Sequence, residues 1–486
     1  MSLSSALHTA MTGLAASSRR AEVTSDNIAN ALTPNFAKRR VEVTPDMLNG
    51  RGVGVRIADI NRVVDTAATA SRRAMEAQSG QAAVARDAAF AINHLMGDPG
   101  ELGALASRFS EFEAALVASA SEPGGQSYLD NGVARAMELA RDMNRISDEN
   151  MVLRQNADWN IGEAVTRINN NLNEIDRLNT EMSFRAAASS ETNSLEDTRQ
   201  KLIDEISEFL PVRVIKRQHG QIALFTMEGT TLLDGLVNEL EFSPTAMITH
   251  DMNVGTGALS TITIDGQAID IGNNTGPLDG GKLGALFAVR DVDVPEFNGQ
   301  LDALARDLIE RFQDPAVDTT LAVGDAGIFT DAGAAFDSAN ELGIARRISV
   351  NALLDPKGSD ESWRLRAGLN APDPGEVGDN TILRNLEASM QGARLPLTGL
   401  GIHGSMSAAS FAAEITSQRA YDSSVKEERS AYAGGQLSLL KEAETGRTGV
   451  DTDEELQMLL EIEKAYAANA RVISTIDSLF NRLMEI

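Results

Sequence analysis

Leu459-Leu460-Glu461-Ile462-Glu463-Lys464-Ala465-Tyr466-Ala467-Ala468-Asn469-Ala470-Arg471-Val472-Ile473-Ser474-Thr475-Ile476-Asp477-Ser478-Leu479-Phe480-Asn481-Arg482-Leu483 closes the chain. Leu459, Ile462, Tyr466, Asn469, Ile473, Ile476, Phe480 and Leu483 recur in steps of three and four, the heptad signature of a helix with one adhesive seam. Asn469 is the polar member of that seam. Neither Gly nor Pro interrupts Asp453 to Ile486, so the helix runs for about 50 Å at 1.5 Å per residue. Asp451, Thr452, Asp453, Glu454 and Glu455 stand at its start, where caps and carboxylates meet free N–H groups and the positive dipole end. Capping, rather than calcium binding, is the reading of that acidic cluster.

The opposite end repeats the spacing with smaller side chains. Leu3, Leu7, Ala10, Leu14, Ser17, Ala21, Thr24, Ile28 and Ala31 follow the same three-four steps. Small residues admit a close partner and bury little apolar area themselves, and an isolated helix of this kind is marginal in water. Both termini therefore read as segments stabilised by partners. An antiparallel pair formed by the two termini, closing one domain, satisfies the same periodicity. Pro34 biases Thr33 away from helical geometry, so the first helix ends in Asp26-Asn27-Ile28-Ala29-Asn30-Ala31-Leu32-Thr33-Pro34-Asn35-Phe36.

Composition narrows the function. The chain has 486 residues, 43 basic against 70 acidic side chains and a net charge of −27. Such a surface is repelled by phosphate backbones and anionic lipid, so no nucleic acid and no membrane partner is expected. There is no cysteine, which removes disulfides, thiol nucleophiles and Cys-ligated metals. Aromatics are 4% of the residues, and the Ala-rich balance leans to helix. The first residues lack a basic then apolar leader, and no apolar run reaches the roughly 20 residues of a membrane span. The five histidines, His8, His94, His219, His250 and His403, are scattered and match no metal or catalytic spacing. No G-x-S-x-G elbow and no P-loop occurs. Catalytic, cofactor-binding and metal residues are expected to be none, and the chain is read as no enzyme.

Between the termini the period shifts. Gly52-Val53-Gly54-Val55-Arg56-Ile57 to Asp65 reads as a glycine turn and an alternating strand, not a dinucleotide fingerprint. Helical periodicity returns from Asn131 to Met182, with Ile161, Val165, Ile168, Leu172, Ile175 and Met182 on one face and Trp159 assigned to core or seam. A further helix starts at Asn193 and stops before Pro211. Val212 to Thr226 alternates around His219-Gly220, and Thr261 to Ile271 alternates around Asp265-Gly266, a pairing that favours a type I′ hairpin turn. Gly324–Phe336 and Ile344–Leu354 leave room for short strands, and Ala371-Pro372-Asp373-Pro374-Gly375 reads as a loop.

Asn27-Ile28-Ala29-Asn30 with Thr33-Pro34 resembles the motif shared by axial proteins of the bacterial flagellum, the rod, hook and hook-associated proteins. Asp26, Leu32, Asn35 and Phe36 depart from its common residues. Gly280-Gly281-Lys282-Leu283-Gly284-Ala285-Leu286, Arg290-Asp291 and Leu301–Ala305 narrow the resemblance to the hook-associated family, as do Gly449-Val450, Glu454-Glu455 and Ala465–Thr475. The family's Leu-Leu-Asp-Gln-Arg-Asp core is here Leu195-Glu196-Asp197-Thr198-Arg199-Gln200. The resemblance is collinear, reaches both ends, and weakens over 97–125 and 315–396.

The resemblance implies a mainly α, elongated multidomain protein with a β-rich insertion, its terminal helices paired in a coiled-coil-like inner domain. Expected domains are 1–65 with 441–486 (terminal helices, inner tube), 66–211 with 296–440 (helical bundle with short strands) and 212–295 (β-rich). The implied function is a structural adaptor between hook and filament, assembled as a ring or helical layer of copies. Implied partners are the hook protein, the second hook–filament junction protein, further copies of itself and a cytoplasmic export chaperone. The implied place is the extracellular hook–filament junction, reached by type III export without a cleaved signal peptide, and no cofactor is implied. The expected assembly interface is Leu3, Leu7, Leu14, Ile28, Leu459, Ile462, Tyr466, Ile473, Ile476, Phe480 and Leu483. Another axial protein, such as the second junction protein or flagellin, is the alternative within the class. A secreted hydrolase or adhesin on an axial scaffold is the alternative outside it.

Overall fold

The computed structural model describes residues 3–33, 36–48, 51–97, 101, 103–187, 192–272, 276–396 and 401–484. Helix α1 (Leu3–Ala29) is followed by strands β1 (Arg39–Leu48) and β2 (Arg51–Arg62), then by α2 (Thr66–Met96), α3 (Leu105–Ser121), α4 (Gln126–Ala187) and α5 (Asn193–Phe209). Strands β3 (Val212–Lys216), β4 (Ile222–Thr226), β5 (Thr231–Leu233), β6 (Leu240–Glu241), β7 (Thr263–Ile264) and β8 (Gln267–Ala268) come next. The remainder runs through α6 (Lys282–Ala288), α7 (Val294–Phe312), β9 (Phe329–Asp331), α8 (Ile344–Arg347), β10 (Ile348–Val350), α9 (Arg364–Ala367), α10 (Thr381–Gln391), α11 (Ala408–Thr448) and α12 (Thr452–Met484). The fold is mainly α, with small antiparallel sheets β1-β2, β3-β4-β5, β6-β7-β8 and β9-β10 among the described residues.

The chain forms two compact units, Met1–Ser79 with Arg167–Glu239 and Ala433–Ile486, and Gly80–Thr166 with Leu240–Tyr432. Strands β3–β5 fall in the first unit and β6–β8 in the second.

In the second unit Phe112, Phe312 and Phe329 meet at ring-centroid distances of 5.5–5.8 Å in edge-on or tilted geometry. Around them lie Phe109, Leu116, Leu139, Phe297, Leu304, Leu308, Leu383 and Leu386, all fully buried or nearly so. Phenylalanines supply this core, whereas all four tyrosines are exposed. A buried charge cluster holds the loop before β7 to α4: Arg290 Nη1 donates to Asp158 Oδ1 at 2.6 Å, and Asp158 Oδ2 accepts the Thr245 N–H at 2.6 Å. Arg154 Nη1 and Nη2 donate to the carbonyls of Thr249 and Met252. Because Asp158 points inward, its neighbour Trp159 is turned outward, and this corrects the core or seam assignment: Trp159 is half exposed.

The expected helices around Asn131–Met182 and from Asn193, and both central hairpins, are present. His219, Asp265 and Gly266 all have positive φ, the geometry that tight turns demand. Ile161, Val165, Ile168, Leu172, Ile175 and Met182 are buried, as their helical spacing predicts. Strand β1 was not legible as a strand, since Pro45 lies within it; the ladder absorbs this residue between two register shifts, after Glu42 and after Asp46.

Candidate assembly interface

In the first unit α1 packs against α12 and against the β1-β2 hairpin. Two contacts fix the direction of the helix pair. A Cβ at Gly13 would lie 2.9 Å from Asn469 Nδ2, and Asn27 Nδ2 donates to Glu455 Oε2 at 3.1 Å. Ascending α1 means descending α12, so the pair is antiparallel. On its hairpin side, Thr9 Oγ1 donates to the Val53 carbonyl at 3.2 Å and Thr12 Oγ1 accepts the Val55 N–H at 3.3 Å. Gly54, at φ +140°, has no room for a side chain, because a Cβ there would reach Thr12 Oγ1 at 2.2 Å. The small residues of α1 thus allow close approach on both sides.

The predicted interface residues divide into three groups. Ile462 and Ile476 are buried; Leu3, Leu7, Leu14, Ile28, Leu459 and Ile473 are half-buried; Tyr466, Phe480 and Leu483 are exposed. Intrachain pairing therefore uses only part of the seam. One step round the helix, Met458, Val472 and Leu479, spaced by heptads with Ala465 between, also face solvent, at 37%, 44% and 42% of their full area. The pair leaves apolar side chains uncovered on both flanks of the buried line Glu455, Ile462 and Ile476, with Met458, Val472 and Leu479 on one side and Tyr466 and Phe480 on the other.

The flagellar-type motif forms a polar knot. Asn27, 1% exposed, donates to the Arg39 carbonyl at 2.9 Å and accepts the Arg39 N–H at 3.0 Å, while also holding Glu455. Lys38 Nζ contacts Glu454 Oε2 at 2.8 Å and Glu455 Oε1 at 2.9 Å. Burial opposes the Lys38 charge, yet these two carboxylates outweigh it and hold its pKa above the ordinary lysine value. Arg39 reaches Asp26 at 2.9 Å and Asp197 at 3.0 Å, and Arg62 Nε donates to Asp197 Oδ1 at 2.8 Å. Asn30 Nδ2 donates to the Asp26 carbonyl at 3.0 Å, closing the last turn of α1. Ile28 is half-buried, Ala29 and Thr33 are exposed, and Pro34 lies outside the described residues.

Capping at the start of α12 holds for Asp451, whose Oδ1 accepts the N–H groups of Asp453 and Glu454 at 2.9 and 3.2 Å. Glu455 does something else: 3% exposed, it is the buried anion joining Lys38 to Asn27. Lys38, Arg39, Arg62, Asp197 and Glu455 were not singled out from the sequence as members of one network. The signal lay in Asp197 and Arg199, two positions of the Leu195–Gln200 block that keep the family's residues. Arg199, itself buried, donates to Asn179 Oδ1 at 2.9 Å and to the Gly220 carbonyl at 2.7 Å. The histidines remain dispersed: His8 and His403 are exposed, His94 stacks on Phe90, His219 forms a turn and His250 is packed near Ser147.

Residues 90–327 match the model of the flagellar hook-associated protein FlgK helical domain. Residues 447–486 match that of the flagellar basal body rod FlgEFG protein C-terminal, and 7–36 that of the flagella basal body rod protein. Flagellar hook-associated protein 1 of Bacillus subtilis is 21% identical over 98% of this chain and 97% of its own length. Its Escherichia coli counterpart is 21% identical over the whole of both chains. The Salmonella typhimurium counterpart is 26% identical over 64% of this chain and 56% of its own. The solved flagellar hook junction protein FlgK from Burkholderia pseudomallei aligns over 54% of this chain and 47% of that one, at 20% identity and a TM-score of 0.44. The terminal motifs sit on the paired helices α1 and α12, and the chain is an axial structural protein of the bacterial flagellum that associates with other axial proteins. Within that class it is similar, over its whole length, to flagellar hook-associated protein 1.

Proposed function

We propose that the protein is the adaptor layer between hook and filament, and that copies join through the α1–α12 unit. The observation that carries this reading is the uncovered apolar strip along the flanks and end of the α12 seam: Met458, Val472 and Leu479 on one side, Tyr466 and Phe480 on the other, and Leu483 beyond Ile476. A soluble surface in a chain of net charge −27 has little reason to keep six such residues on one helix. Burying each large apolar side chain contributes about 1.5–3 kcal/mol before ordering entropy is subtracted. Head-to-tail contacts of this kind propagate as rings or helical layers rather than closing as a dimer. On this reading the hook protein lies on one side and the second junction protein on the other. Export runs through the flagellar type III channel, with a cytoplasmic chaperone covering the strip beforehand. The role is structural, not catalytic.

Leu479→Asp and Ile476→Asp separate assembly from folding. Leu479 faces solvent and Ile476 faces α1, so the first variant should keep its helix content and lose incorporation at the hook tip. The second should lose the helix pair itself, seen by circular dichroism. Normal incorporation of Leu479→Asp would remove the strip from the assembly surface.

A further inference from the structure

Small side chains make poor rulers. Along α1 the positions buried or half-buried in the pair include Ala10, Gly13, Ser17, Ala21 and Thr24, none with more than three side-chain heavy atoms, which pack almost equally well after a one-heptad shift. The α12 seam is likewise periodic in seven. Apolar periodicity alone therefore leaves several antiparallel registers close in energy. Two contacts, one steric and one polar, break that degeneracy. Gly13 stands opposite Asn469, and Asn27 opposite Glu455. The contacts are separated by fourteen residues on both helices, two heptads.

We propose that the Gly13–Asn469 notch and the Asn27–Glu455–Lys38 knot set the register of the terminal helix pair. Asn469 interrupts an otherwise apolar or aromatic seam. Its amide has no hydrogen-bond partner among the described residues, so its place opposite Gly13 is a matter of shape and not of hydrogen bonding. It fits because Gly13 has no side chain, the Ser17 hydroxyl nearby being turned back to the Gly13 carbonyl at 3.0 Å. A slip of one heptad sets Asn469 against Ala6 or Arg20 instead, filling the notch with a side chain. The same slip strips buried Glu455 of both Lys38 and Asn27, leaving a carboxylate without its cation. The polar seam residues lower the pair's stability and select one alignment. That alignment decides which residues present the outer strip, and the inference stands whether or not copies assemble.

The absence of cysteine makes the register directly readable in the full-length chain. Ala6→Cys with Ile476→Cys lies one heptad beyond Gly13 and Asn469, in the native register. Ala6→Cys with Leu483→Cys reports a one-heptad slip, since a disulfide forms only when the Cα atoms come within about 7 Å. In the parent chain only the first pair should oxidise to an intramolecular disulfide. With Glu455→Leu and Asn469→Ala added, the second pair should also oxidise, to at least a tenth of the yield of the first. Exclusive native-pair oxidation in that background overturns the inference. Asn469→Ala alone, which leaves the Glu455–Lys38–Asn27 contacts in place, should keep helix content and the native disulfide. Loss of both in that variant also overturns it, because the asparagine would then be needed for pairing and not for register.

Discussion

Asn27 Nδ2 lies 3.1 Å from Glu455 Oε2, joining residues 428 positions apart in the chain. Glu455 is already neutralised by Lys38, so the amide completes a buried set instead of supplying its charge balance. Asn27 also holds both backbone groups of Arg39, so its loss strands a backbone N–H inside the hairpin base. Asn27→Ala should destabilise the first unit by about 1–3 kcal/mol, the cost of an unsatisfied buried donor. Asn27→Asp should be worse, placing a second carboxylate against Glu455. Chemical denaturation followed by helix content measures both, and a neutral Asn27→Ala would show that the motif asparagine is not structural.

Much of this was legible because it rests on local signals. Heptad spacing placed α12 to within a residue or two, and the Asp265-Gly266 turn placed a hairpin. The knot was not legible, because its members lie at 26–27, 38–39, 62, 197 and 454–455 and only folding gathers them. A glutamate in the first turn of a helix looks like a dipole partner; that Glu455 is turned inward depends on Lys38, which no periodicity links to it. Trp159 was misplaced for a related reason: an apolar face can be read, but an inward aspartate beside it cannot be foreseen.

Helices α7 and α12 differ in what holds them. Thirteen of the 19 residues of α7 are buried, but in α12 only Glu455, Ile462 and Ile476 are. Local opening free energy follows the apolar contact that must be broken. Amide exchange in the isolated chain should therefore be fast across α1 and α12 and slowest across α7. Docking to other axial subunits should then protect α12 selectively, around Val472 and Leu479. Uniformly slow exchange across α12 in the free chain would contradict the sparse packing.

The Asp158–Arg290 pair tests whether a buried ion pair in the second unit stabilises or merely specifies. Both side chains are fully buried, and Arg290 is shared with Asp291 at 2.8 Å. Burial opposes the Arg290 charge, but Asp291 and Asp158 together keep its pKa above the ordinary arginine value. Arg290→Met should cost about 3–5 kcal/mol, since Asp158 then keeps only the Thr245 N–H. Adding Asp158→Leu should recover part of that loss, giving a double-mutant coupling of opposite sign to the single effects. Strict additivity would show that the pair does not interact.

Asp302 and His250 both address Gly343, and their pH effects oppose one another. Asp302 accepts the N–H groups of Gly343 and Ala345 at 2.8 and 2.9 Å, and its pKa is raised to about 6 because burial outweighs those bonds. Between its unfolded value of 3.8 and about 6, the folded chain holds a proton that the unfolded chain has lost, so this contribution weakens as pH rises through that window. His250 packs on Gly343, and burial, followed by the charges of Arg346, Arg154 and Arg347, lowers its pKa below 6.5. There the unfolded chain binds the proton first, so stability falls as pH drops below 6.5. His250→Gln should therefore expose the Asp302 slope, making the second unit gain stability on acidification from pH 6 towards 4, by at most about 1.4 kcal/mol per pH unit. Thermal melts of the parent and His250→Gln chains across that range check the sign. A variant that still loses stability as steeply as the parent would mean that other groups, not His250, govern the acid limb.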